Sequence, residues 1–338
     1  MLKPKLLCRC RTFENTRREK LSQYFQLVNY NSDYEYKSSE YDAVLEDWND
    51  TFFHWRYNNN LIPQAKWYDK FVYNGSKFII DHSYDSYVNE SSYFENNNTY
   101  VLRSKNWIWI NENWLYRKAG YKDVLLRNVP SPDPTKFFLL LMNLERAHRT
   151  EILNRSTKYL DDSIYSYVAR GIILDNELLN DRGYIKNQWA FYPQRYSNTY
   201  FSLVAETTTN LIRPRDLSPN KPIFISEKSF KPFAFKHPFI TYGTANTLQY
   251  LKSIGFETFD HVINETYDSI LDPYERLTAI MIEVDNLYKE YKEGKQLFKD
   301  ALSQEKLEHN FNRFYDDALV DQMYVNEVIN PMLEFINA

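Results

Sequence analysis

The chain has 338 residues, with 41 Lys and Arg against 45 Asp and Glu for a formal charge of −4. It is 43% hydrophobic and 25% charged, which is ordinary for a globular protein. That length suits two domains, since single cores stop growing near about 250 residues, and the charge lacks the basic excess of a dedicated nucleic-acid binder. No apolar run approaches the roughly 20 residues that span a bilayer, and the first residues lack the apolar core of a signal peptide. The expectation is a protein with no membrane span, in the cytoplasm, or in a host's cytoplasm if it is viral. Cys8 and Cys10 are the two cysteines, too few for a disulfide framework or a complete zinc site. The 29 Tyr and 22 Phe read first as the codon bias of an AT-rich genome such as a phage.

In chain order, residues 6–8 form a short apolar run and 14–28 have helical spacing, within a local basic cluster that includes Lys3, Lys5, Arg17, Arg18 and Lys20. Residues 30–55 mix acids with aromatics. Residues 77–81 read as a buried strand closed by Asp81, 99–103 as a strand, and Trp107-Ile108-Trp109-Ile110 as another, running to Glu112. Asp81 and Glu112, as acids at strand ends, are candidate catalytic bases or plain loop acids. Prolines 130, 132 and 134 make a stiff segment that marks a domain boundary.

The run Phe137-Phe138-Leu139-Leu140-Leu141-Met142 reads as a fully buried strand. Asn143 is a good N-cap for the helix expected to follow, and Arg146 and Arg149 share one face of its start. Cations at a helix amino end are misplaced unless an anion lies between them and the dipole, so a phosphate is one reading. Pairing with Glu145 or Glu151 is the other. Residues 164–168 and 200–206 are further strands, the second closed by Glu206, and 188–198 is aromatic and irregular.

The central stretch is 222–239. An apolar run ends at Ser226-Glu227-Lys228, and a second, 238–242, follows: strand, polar turn, short helix, strand. Glu227 could accept from a ribose diol while Lys228 meets a phosphate; an ion pair capping a helix is the alternative. Pro232 leaves open whether that helix begins at Ser226 with a kink or near Lys231. Asp272-Pro273 opens a long helix to about Lys292, with Gly294 as its stop. The chain then continues as amphipathic helix.

The seven glycines lie at least twelve residues apart, so neither a dinucleotide fingerprint nor a phosphate-binding loop can be written. No Asp-x-Asp or His-Glu-x-x-His pattern occurs, and no metal site is expected. Any nucleotide is then held by side chains and helix ends.

Three elements line up: a strand followed by Asn143, Arg146 and Arg149; a strand ending in Glu206; and Ile225-Ser226-Glu227-Lys228-Ser229-Phe230 before Pro238-Phe239-Ile240. Over residues 136–260 this resembles the nucleotide-sugar domain of GT-B glycosyltransferases of the fucosyltransferase type. Over 66–290 it is similar to phage proteins sharing the Arg-x-x-Arg helix, the Ser/Thr-Glu-Lys-x-Phe-Lys-Pro turn and Gly-Phe-x-Thr-Phe, here Gly255 to Phe259. The resemblance implies an α/β chain of two Rossmann-like, GT-B-like domains with a helical C-terminal segment. Residues 1–132 would take the acceptor, 133–290 the donor, and 291–338 would be helices returning to the first domain.

It further implies metal-independent transfer of a sugar from a nucleotide-sugar, used as co-substrate without a cofactor, to a hydroxyl. Arg146, Arg149, Glu206, Ser226, Glu227 and Lys228 would bind the donor, with Arg149 and Lys228 on the diphosphate. The residues after Glu206 depart from the family's Asn-Ser, being Thr207-Thr208. A modified DNA base, a virion protein and a glycan remain open as acceptors. The rival readings are a non-catalytic nucleotide-sugar binder and a single-stranded nucleic-acid binder.

Overall fold

The computed structural model describes residues 3–8, 15–29, 40–47, 77–81, 98–102, 104, 106–123, 133–174, 192–209, 223 and 225–338. They form a mixed α/β protein with two parallel sheets, divided into two compact units: Met1–Leu115 with Asp317–Ala338, and Tyr116–Asp316. The division falls at 115/116 rather than at the proline-bearing segment. The C-terminal residues are shared, 291–316 with the second unit and Asp317–Ala338 with the first.

The first unit holds β1 (Lys5–Cys8), β2 (Gln26–Asn29), β3 (Ala43–Asp47), β4 (Phe78–Asp81) and β5 (Thr99–Leu102), all parallel, in the order β2-β1-β3-β4-β5. This is one of the common doubly wound orders. A parallel sheet is covered on both faces, which accounts for the unbroken apolar Leu6-Leu7 and Val44-Leu45, all fully buried. The helical spacing of 14–28 is only half realised: α1 covers Asn15–Ser22, and Gln26–Asn29 pairs with β1 as a strand.

Residues 107–110 correct the sequence reading. They begin a helix, α2 (Trp107–Lys118), instead of a strand. Trp107, Ile110 and Trp114 recur at helical spacing, and all three are buried. Trp114 meets the Tyr324 ring edge-on at 4.7 Å, and Glu327 accepts from Ser104 Oγ and from the Asn106 backbone and side-chain nitrogens, tying down the start of α2. β-propensity at four positions loses to this packing. The partners come from α9 (Asp317–Tyr324) and the π-helical turn Val325–Ile329, before α10 (Asn330–Asn337).

The second unit is built on β6 (Lys136–Met142), β7 (Ile164–Tyr167), β8 (Thr199–Ala205) and β9 (Phe239–Tyr242), again all parallel, in the order β7-β6-β8-β9. Its helices are α3 (Ala147–Arg155), α4 (Pro193–Ser197), α5 (Glu227–Ala234), α6 (Thr247–Ser253), α7 (Pro273–Lys292) and α8 (Ala301–Phe314). The long helix follows its sequence signals. Asp272 Oδ1 accepts from Tyr274 N at 2.8 Å and Glu275 N at 2.9 Å, Pro273 opens the first turn, and Gly294 at φ +77° follows the C-cap.

Two expectations fail here. Ile223 and Ile225 lie in no strand, because β8 already pairs with β6 and β9; the crossover runs from β8 through α5 to β9. Asn143 is not an N-cap: the chain bends over 143–146, and α3 starts one turn later with Arg146 at its N-cap, in extended backbone. Among the described residues no helix is long and apolar enough to cross a membrane.

Candidate functional site

In the second unit the chain leaves β6 for β7 on one side and later returns to β8 on the other, so the strand order reverses between β6 and β8. Open α/β sheets bind ligands outside the carboxyl ends of their strands at that point. A cavity of about 300 Å³ lies there, lined by Met142 and Asn143 from the end of β6, Ala205 and Thr207 from the end of β8, and the first residues of α3 and α5. Among the described residues five cations line it, Arg146, Arg149, Arg195, Lys228 and Lys231, against one carboxylate, Glu227.

Arg149 is the most buried of them. It is 2% exposed, donates from one terminal nitrogen to Leu144 O at 3.0 Å and from the other to Glu206 O at 3.5 Å, and its Nε has no partner. Among the described residues no carboxylate forms an ion pair with it. Glu145 pairs with Arg170 and Glu151 with Arg155, which removes the paired reading of Arg146 and Arg149. Burial, and then Arg146, lower the Arg149 pKa, so the fold holds this charge at a cost. Arg146, half-buried, stands at the N-cap of α3, with Arg149 in the first turn. Two cations at a helix amino end facing a cavity are placed where an anion would offset both them and the dipole.

Glu206 is fully buried and does not line the cavity. Its Oε1 accepts from Ser226 N at 3.1 Å and Ser229 Oγ at 2.6 Å, and its Oε2 from Thr207 N at 3.1 Å and Ser226 Oγ at 2.5 Å. A carboxylate at the amino end of α5 satisfies backbone donors there and complements the dipole. A Cβ at Gly243 would sit 3.3 Å from Glu206 Cγ, so the glycine leaves room for this side chain. The structure gives Glu206 and Ser226 the job of fixing where α5 begins. Ser226 is the N-cap, and the helix runs from Glu227 through Pro232. The helix thus starts at the earlier of the two alternatives.

Glu227 and Lys228 both line the cavity and pair at 2.6 Å, with side chains 22% and 20% exposed. Lys228 Nζ also lies 3.3 Å from Ser226 Oγ. Burial alone would push the Glu227 pKa up, but Lys228 and Lys231 together bring it down to about 2. Because that folded value lies below the ordinary 4.5, the stabilisation is complete above pH 4.5 and is lost as pH falls toward 2. Lys228→Met is expected to raise the Glu227 pKa toward the ordinary value, followed by carboxyl NMR. An unshifted titration would show that the ion pair does not hold the charge.

Sequence reading missed the other end of the cavity. Tyr192, Arg195 and Tyr196, from α4 and the residue before it, and Phe235 just after α5 line it. Tyr196 stacks on Phe235 with centroids 4.0 Å apart, and the Arg195 guanidinium lies 4.0 Å from the Tyr192 ring centroid. The signal was the aromatic stretch 188–198, set aside as irregular. His148 and His237 are buried, and burial lowers each pKa to about 4. His148 Nε2 donates to Glu206 O at 2.8 Å, and His237 is held between Ser202 and the Thr199 carbonyl. Both are structural, neutral imidazoles.

The two acids expected as bases fare differently. Glu112 is not at a strand end: it lies within α2, 1% exposed. Asp81 ends β4, and its side chain lies outside the described residues. Among the described residues no group of three His, Cys, Asp or Glu side chains could hold a metal ion. No protein-family model matches this chain, and no curated protein matches it either.

Proposed function

We propose that the cavity binds a nucleotide-sugar through its diphosphate and that the protein is a glycosyltransferase. The two parallel-sheet units are then the Rossmann-like domains of a GT-B-type enzyme. The observation that carries the reading is Arg149, a buried guanidinium with an unpartnered Nε lining a cavity that Arg146 and Lys228 also line. A helix end contributes about 0.3–1 kcal/mol to a bound anion and a charge-assisted hydrogen bond about 1.5–3 kcal/mol. Holding a diphosphate leaving group therefore needs Arg149 and Lys228 together. Tyr192, Tyr196 and Phe235 give the cavity an aromatic lining against which a nucleobase would pack.

In the reaction the acceptor hydroxyl oxygen forms a bond to the anomeric carbon while the bond from that carbon to the phosphate oxygen breaks. The charge that develops on the diphosphate is stabilised by Arg149 and Lys228, and the hydroxyl proton passes to a base. Glu227, held at about 2, is a poor proton acceptor. The same weakness of Glu227 favours a second reading, a nucleotide-sugar binder without transfer activity.

A thermal-shift panel of UDP-, GDP-, ADP-, CMP- and dTDP-sugars tests the binding. A donor at a hundred times its dissociation constant adds about 2.7 kcal/mol. One base is expected to raise the Tm by several degrees and the others to leave it unchanged. A flat panel rejects the reading. Release of free nucleotide from the matching donor separates an enzyme from a binder.

A further inference from the structure

Among the described residues, three polar atoms of the cavity lining are buried without a hydrogen-bond partner: Arg149 Nε, Asn143 Oδ1 and Ser166 Oγ. The phosphate accounts for the first. It cannot account for Asn143 Oδ1, because a carbonyl oxygen accepts hydrogens and a phosphate anion has none to give. A ligand that carries hydroxyl or N–H groups as well as its charge would satisfy it.

The sheet sets where these groups lie. Leu141 of β6 is paired with Ser166 of β7, so their side chains project from the same face, and both residues line the cavity. Asn143, two residues beyond Leu141, lies about 7 Å further along the strand direction. Both orphans belong to the β6–β7 flank. The aromatic rings belong to the opposite flank, since α4 and α5 pack against β8. A nucleotide-sugar has the same order: a flat base and ribose, a diphosphate, and a hydroxyl-rich ring with no π face.

We infer that Asn143 and Ser166 form the subsite that recognises the transferred sugar, with Asn143 Oδ1 accepting from one ring hydroxyl and Ser166 Oγ bonding a second. This rests on the proposed reading of the cavity as a nucleotide-sugar site. A buried hydroxyl without a partner destabilises the empty protein, so its removal is tolerated by the fold.

Calorimetric titration of the panel's best nucleotide-sugar and of the matching nucleoside diphosphate, against wild type, Asn143→Ala, Ser166→Ala and the double variant, tests the assignment. The double variant is expected to bind the nucleotide-sugar about tenfold more weakly, as for two neutral hydrogen bonds, and the diphosphate within about twofold of wild type. Ser166→Ala is expected to melt no lower than wild type, whereas a structural hydroxyl would lower the Tm. Equal weakening of both ligands, or of neither, overturns the subsite while leaving the diphosphate reading standing. A wild-type protein that binds neither ligand overturns both.

Discussion

Arg149→Met is expected to abolish nucleotide-sugar binding while leaving the fold intact. Arg149 makes no ion pair among the described residues, only bonds to the Leu144 and Glu206 carbonyls. The Glu206 carbonyl retains His148 as a donor after the change. The lowered pKa of Arg149 means that the protein disfavours its charged form, so a neutral chain of similar length relieves desolvation. That relief offsets about 1 kcal/mol for each neutral-acceptor hydrogen bond lost. The ligand side has no such compensation. Two charge-assisted bonds at about 1.5–3 kcal/mol each correspond to a loss of about a hundredfold or more in affinity.

Arg149→Lys is expected to fall between the two, since a point charge replaces a fork but cannot bond two oxygens in parallel. The measurement pairs a melting curve with a nucleotide-sugar titration. A variant that binds like wild type removes the anion site on which the proposed function stands. A variant that fails to fold would instead make Arg149 a structural residue.

The parts of this chain legible from sequence are those where one local signal decides. β6 and β9 are buried on both faces and read as unbroken apolar runs, and α7 carries its own cap, proline and stop. β3 was hidden among the acids and aromatics of 30–55, because its pattern becomes meaningful only once β1 and β4 flank it. α2 misread as a strand because Trp and Ile favour strands locally, while the Tyr324 and Glu327 contacts that decide the matter come from more than two hundred residues away.

The site divides in the same way. Arg146, Arg149, Glu227 and Lys228 were legible as charges near helix starts, and the structure brings all four to one cavity. Glu206 was legible as a carboxylate closing a strand. The direction of its side chain, into the amino end of α5 rather than into the cavity, depends on the β8–α5 crossover. Asn143 had a local reading as a cap, and the bend at 143–146 frees it from that role. Ser166 and the rings around Tyr196 carry no motif at all; only the sheet order brings them to the cavity.

That direction of Glu206 leads to the second large effect. Glu206→Gln is expected to destabilise the protein by about 2–4 kcal/mol, although it changes one atom and no volume. Each carboxylate oxygen accepts one backbone N–H, from Ser226 on Oε1 and from Thr207 on Oε2, as well as one serine hydroxyl. The hydroxyls of Ser226 and Ser229 can rotate to accept from an amide. The two backbone N–H groups cannot, so either orientation of the glutamine sets its NH2 against one of them. Ser229→Ala removes only one rotatable donor and is expected to cost about 1 kcal/mol.

Urea denaturation of both variants checks the ordering. Because the same bonds place Ser226 and the first turn of α5, Glu206→Gln is also expected to weaken diphosphate binding through Lys228, and Ser229→Ala much less so. A Glu206→Gln protein within about 0.5 kcal/mol of wild type would mean that the carboxylate is not what fixes the start of α5. Lys228 would then owe its position to its own bonds, to Glu227, Ser226 Oγ and Thr207 Oγ1.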